Sequence, residues 1–161
     1  MTTPTEEQEQ MALFRWASLS LGRYPELALL VHVPNGGSRH MLEAIKFKKM
    51  GLRKGVPDIL LAVPRGGLHG LFIELKRPSL RPKTAKGKGG VSEDQAWWLS
   101  ELWKRGYQAS IAWGFDEARK IIEEYLGRPG IDPGIANLGA RQGGAARPAR
   151  GARPATRLPP P

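Results

Sequence analysis

The sequence predicts an α/β fold, a small mixed sheet flanked by helices, with a disordered tail behind it. Three observations carry that expectation. Segments with apolar residues at helical spacing alternate with short apolar blocks, in the order helix, strand, helix, strand, strand, helix, strand, helix. Two of the blocks, GVPDILLAVP (Gly55 to Pro64) and LFIELKRP (Leu71 to Pro78), are joined by a short Gly-rich link over Arg65 to Gly70. Beyond Leu126 the chain turns Gly/Pro/Arg/Ala-rich and has too little apolar surface to offset its ordering entropy. The expected organisation is a folded domain over 1–126 and a disordered basic tail over 127–161.

Each element has its own signal. Glu6 to Leu19 reads as a helix with Met11, Leu13, Phe14 and Trp16 on its apolar stripe. Leu27 to Val33 reads as a strand stopped by the turn chemistry of Pro34-Asn35-Gly36-Gly37. A helix from Arg39 to Met50 ends at Gly51, and the two blocks above follow as strands. The Pro-, Lys- and Gly-rich stretch from Ser79 to Gly90 is expected to be a mobile basic loop. Ser92 is a good N-cap for a helix over Glu93 to Arg105, whose Trp97, Trp98, Leu99, Leu102 and Trp103 read as core anchors. Tyr107 to Trp113 is the fourth strand. Phe115 to Leu126 is the last helix, with Ala118, Ile121, Ile122, Tyr125 and Leu126 at helical spacing.

Composition narrows the function. With 161 residues there is room for one modest core. No apolar stretch approaches the roughly 18 residues of a membrane span, and MTTPTEEQEQ has no signal-peptide pattern, so a cytoplasmic protein is expected. The chain has no cysteine, which removes disulfides, thiolate zinc sites and a Cys nucleophile. His32, His40 and His69 fall at no metal-ligand spacing. Any metal must then be held by oxygen or imidazole, which favours Mg²⁺ or Mn²⁺ over structural zinc. The net charge of +10 points to an anionic partner, most simply nucleic acid. Half of that excess lies beyond Leu126, and the tail is either an inert extension or an electrostatic tether to DNA.

The chemistry is written into the two central strands. Asp58 opens the first, and Glu74 and Lys76 stand two apart on the second, facing the same side while Leu75 faces away. Charges inside runs as apolar as LLAV and LFI cost several kcal/mol unless they pair or hold a metal. Two carboxylates beside an amine suit a hard divalent cation and hydrolysis at a phosphate. The competing reading is a cross-strand ion pair.

VPNGGSR (Val33 to Arg39), GLRKGVPD (Gly51 to Asp58), IELK (Ile73 to Lys76), SEDQAWWL (Ser92 to Leu99) and GYQASIAWGFDEA (Gly106 to Ala118) together resemble the virus-type replication-repair nuclease (VRR-NUC) family of the PD-(D/E)xK nuclease superfamily. The resemblance spans Glu6 to Leu126. It implies a restriction-endonuclease-like sheet and Mg²⁺- or Mn²⁺-dependent hydrolysis of DNA, with Asp58, Glu74 and the Leu75 carbonyl as metal ligands. Lys76 then orients or deprotonates a metal-bound water or stabilises the transition state, and stabilisation is the safer reading because the nearby carboxylates oppose a lowered pKa. The resemblance makes Gln95 an active-site residue, whereas its spacing from Ser92 also fits a helix capping box. An acidic residue of the first helix is implied too. Glu6, four residues before Gln10, fits best among Glu6, Glu7 and Glu9, which otherwise read as solvated helix-start acids.

Asn35, Gly36, Gly37 and Arg39 read either as a phosphate-approaching turn with an Arg clamp or as a plain turn. Lys46, Lys48, Lys49, Arg53 and Lys54 read as phosphate contacts or as solvated charges. The resemblance further implies a homodimer, a bacterial or phage source, and branched DNA such as a Holliday junction as substrate. No small-molecule cofactor or membrane partner is expected. Cleavage or nicking of linear duplex, and a non-catalytic DNA-binding module, are the alternatives.

Overall fold

In a computed structural model of the chain, residues 3–34, 41–84 and 87–130 are described, residues 41–44 by their backbone alone. Four helices and four strands are found among them: α1 (Glu6–Leu19), β1 (Leu30–His32), α2 (Met41–Lys49), β2 (Ile59–Leu61), β3 (Leu71–Lys76), α3 (Glu93–Lys104), β4 (Gln108–Trp113) and α4 (Phe115–Leu126). The tail expected over 127–161 lies, from residue 131 on, outside the described residues. Its first residues run back over the β2–β3 turn, where the Gly66 N–H donates to the Pro129 carbonyl at 2.8 Å.

The sheet has the order β1-β2-β3-β4 and is mixed as expected: β1 to β2 and β2 to β3 are antiparallel, and β3 to β4 is parallel. The antiparallel pair needs only the short link over 65–70, whereas the parallel pair is made by a crossover through α3. One face is covered by α1 and α4, with Leu13, Ala17, Ala118, Ile122 and Tyr125 packed on Ile59, Leu61, Leu71, Ile73 and Leu75. On the other face α3 sets Leu99 and Leu102 against Ala109, Phe72 and Ile111. Residues of β3 therefore alternate between two packed layers, which is why Leu71 to Lys76 reads as almost unbroken burial.

Three elements differ from the sequence reading, each for a local reason. The expected strand over Leu27 to Val33 is a 3-10 turn over Pro25–Leu29 followed by three strand residues. Pro25 fixes φ at the start of the turn, and the Leu27 N–H closes back on the Tyr24 carbonyl at 3.1 Å. The block from Gly55 to Pro64 contributes only Ile59–Leu61 to the ladder, because Pro57 and Pro64 have no N–H to give. Trp97 and Trp103 are not core anchors: both are more than half exposed, and Leu99 and Leu102 fill the core positions instead. The Trp103 indole N–H donates to the Ala109 carbonyl at 2.6 Å, on edge strand β4.

The stretch expected as a mobile loop opens with a 3-10 turn over Pro78–Leu80, and its far end is tied to β4 by the Trp113 indole N–H, which donates to the Gly89 carbonyl at 3.0 Å. A buried bond also closes the layer of α4. The Tyr125 hydroxyl, fully inside, donates to the Val63 carbonyl at 2.7 Å and holds the end of β2 onto the helix. Tyr125→Phe keeps the packing and removes that bond, so we expect a stability loss of about 1 kcal/mol in urea denaturation with an unchanged m-value. An unchanged midpoint would contradict the anchoring role of this hydroxyl.

Candidate active site

The site begins with a register. Ile59 stands opposite Ile73 in the antiparallel ladder, so one step further Asp58 lies opposite Glu74. Pro57 precedes Asp58, and regular pairing of β2 stops there. The Leu75 amide, left without a strand partner on that side, donates to Asp58 Oδ2 at 2.9 Å. On its other flank the Asp58 carbonyl accepts from the Val33 amide at 2.7 Å and from His32 Nδ1 at 3.0 Å. Asp58 is thus fixed by both neighbouring strands.

Glu74 is 0% exposed and points to the α3 side of the sheet with Phe72, while Leu75 goes into the opposite layer. Its Oε1 accepts from Lys76 Nζ at 2.6 Å and from the Gln95 side-chain amide. Its Oε2 is buried and has no hydrogen-bond partner among the described residues. Such an oxygen costs on the order of 1–3 kcal/mol or more while it stays unsatisfied. Burial, reinforced by the adjacent Asp58 carboxylate, pushes the Glu74 pKa up to about 7 despite the contact with Lys76.

Lys76, also buried, is where the charges converge. Burial pulls its pKa down, but Glu74, Glu6 and Asp58 outweigh this and the net shift is upward. The amine is therefore a resident cation and a poor general base, which favours the stabilising role over proton abstraction.

Periodicity separates two of the acids of the first helix. Glu9 shares a stripe with Leu13 and Ala17, four residues apart, and is buried with them. Its Oε2 accepts from the Phe115 amide at 2.6 Å, anchoring the start of α4. Glu6 is one turn earlier, half-exposed, with its carboxylate 3.9 Å from Lys76 Nζ. Burial raises its pKa, with Lys76 opposing and Asp58 adding to the shift. The spacing to Leu13 marks Glu9 as a core position, a signal already present in the sequence.

Gln95 forms the capping box and also contacts Glu74. Its Oε1 accepts from the Ser92 amide at 2.9 Å in a capping box, while Nε2 reaches Glu74. The same box holds the helix start and aims the amide at the carboxylate. Gly55 helps bring these parts together: it has φ +84°, and a Cβ there would lie 2.7 Å from the Asp94 backbone.

Lys46, Lys49, Arg53 and Lys54 are exposed, on the last turn of α2 and the segment after it. Lys54 pairs with Asp94 at 3.0 Å, and its carbonyl accepts from Trp98 Nε1 at 3.0 Å. Asn35, Gly36, Gly37 and Arg39 lie outside the described residues.

The donor set suits a hard divalent cation. Asp58 and Glu74 present carboxylate oxygens side by side; Lys76 pairs with Glu74 through Oε1, and Oε2 is left without a hydrogen-bond partner among the described residues. Among the described residues no group of three or more His, Cys, Asp or Glu is placed to hold a metal. Two carboxylates with a backbone carbonyl leave room for water and phosphate, the ligation Mg²⁺ prefers.

Residues 4–116 match the VRR-NUC domain family. A solved structure described as a VRR_NUC domain protein is similar to this chain with a TM-score of 0.65 and 28% sequence identity, covering 82% of this chain and 96% of that one. No curated protein matches the chain.

The raised Glu74 pKa has a thermodynamic consequence. Between the ordinary value of 4.5 and about 7 the folded state holds a proton that the unfolded state has released. Its contribution to stability is full below 4.5 and is lost as pH rises through about 7. Thermal melts in EDTA should show the wild type losing stability relative to Glu74→Gln across that window. Parallel pH profiles for the two proteins would contradict the shift.

Proposed function

The chain belongs to the VRR-NUC family, and from that premise we propose that it is a Mg²⁺- or Mn²⁺-dependent endonuclease that hydrolyses phosphodiester bonds in branched DNA such as a four-way junction. The observation that carries this reading is the buried Glu74 carboxylate beside Asp58, with an oxygen left unpartnered among the described residues.

Asp58, Glu74 and the Leu75 carbonyl would hold the cation, which supplies Lewis-acid polarisation of the scissile phosphate and activation of water. The protein's own residues supply the rest. Water oxygen bonds to phosphorus as the bond to the leaving sugar oxygen breaks; the water gives up a proton to solvent, and the leaving oxygen takes one from solvent to become the free hydroxyl. Lys76 places a permanent positive charge beside the carboxylates, where it stabilises the extra negative charge of the pentacovalent phosphorus. Gln95 fixes the rotamer of Glu74, and Glu6 draws the Lys76 amine toward the rim of the site. The basic residues Lys46, Lys49, Arg53 and Lys54, with Asn35, Gly36, Gly37 and Arg39, supply backbone contacts on this reading. A homodimer presents two such sites to the two strands of a junction.

The test is cleavage of a labelled four-way junction and a matched linear duplex in Mg²⁺, Mn²⁺ or EDTA. Junction cutting in either metal, absent in EDTA and reduced at least about 100-fold in Asp58→Ala, is the expected outcome. Equal cutting of the duplex would remove the structural selectivity. Binding of both DNAs without cutting in any metal would remove the nuclease assignment.

A further inference from the structure

The sheet face that carries Glu74 and Lys76 continues into a cleft of about 300 Å³. The parallel register puts it there, with Ile111 beside Glu74 and Trp113 beside Lys76, while Ala96 follows Gln95 on α3. Its walls include Pro82, Lys88, Val91, Ala96, Ile111 and Trp113, and the surface they expose is mostly carbon. The indole wall is fixed in place. Trp113 Nε1 is bonded to the Gly89 carbonyl, and Gly89, at φ +57°, lies so close that a Cβ would fall 2.6 Å from the ring.

We propose that this cleft receives one unstacked nucleobase, from the nucleotide next to the scissile phosphodiester. The proposal rests on the nuclease reading above and adds a subsite to it. Adjacent strands lie about 4.8 Å apart, so the cleft opens one strand beyond the carboxylates that face the phosphate. A hydrated, anionic sugar-phosphate backbone does not fill a carbon-lined cleft, and a stacked duplex offers only the edges of its bases. A base turned out of the stack offers two apolar faces and a polar edge.

The charges suit that occupant. Lys88 is on the wall and Lys83 belongs to the same segment, where their positive charge favours the attached phosphates, while Arg81 of that segment pairs with Glu117. Ser92 and Glu93 bring polar atoms to the mouth for the base edge. A volume at the lower end of small-ligand pockets admits one base but not a base pair. Bases beside a branch point are already poorly stacked and cost less to extrude, so the cleft gives a physical source for selectivity toward branched DNA.

The full-length protein can be tested with four-way junctions carrying 2-aminopurine at each position within three nucleotides of the mapped cut, with Ca²⁺ in place of Mg²⁺. A fluorescence change confined to one position adjacent to the cut is expected, and it should be absent in Ala96→Leu, which fills the cleft. With the wild type alone, an abasic site at that nucleotide should weaken binding about tenfold, the loss of one stacked base. The same fluorescence in free and bound junctions at every position, with an abasic junction bound and cut like the intact one, would overturn the subsite and leave the nuclease standing. Absence of metal-dependent cutting on every substrate would overturn the nuclease and the subsite with it.

Discussion

The structure depends on one tolerated violation: a carboxylate with no solvent exposure in the central strand of a four-stranded sheet. Glu74 is kept there by a lysine two residues on, by an amide from α3 and by the strand that places Asp58 opposite. Those contacts satisfy one of its oxygens and leave the other unpartnered among the described residues. An apolar residue at this position would suit the layer better. Local rules broken at one point in an otherwise consistent fold mark a candidate functional site, and the unmet oxygen has room for a further partner.

Around that point the scaffold is built to fix orientation. β3 is paired on both sides, so Glu74 and Lys76 sit on the most constrained strand of the sheet. α1 is held to the start of α4 by Glu9 and carries Glu6 to the rim. α3 is capped by the residue that contacts the carboxylate. Asp58, Glu74 and Gln95 are therefore each tied to a different element of the fold.

Much of this was legible in the sequence because each signal was local. The 3.6-residue period located α1 and α4 at their observed bounds, Ser92 located the start of α3, and strand alternation put Glu74 and Lys76 on one face. What was not legible depended on tertiary competition. Five apolar residues on α3 cannot all face one small core, and only packing decides that Leu99 and Leu102 enter while Trp97 and Trp103 stay outside. The turn at Pro25–Leu29 lost its strand character to a proline-started 3-10 bond that leaves Leu29 exposed. Gln95 can cap the helix and contact Glu74 together, since an amide has both an acceptor and donors and uses them in different directions.

The central claim is that Asp58 and Glu74 form one divalent-cation site. Calorimetric titration of Mn²⁺ into the full-length protein near pH 7, repeated in buffers of different ionisation enthalpy, tests it most directly. The account predicts saturable binding in the wild type, proton release as Glu74 gives up its proton, and loss of both signals in Asp58→Asn and Glu74→Gln. Mn²⁺ binding that is unchanged in the two variants, or absent from a folded wild type, would contradict it.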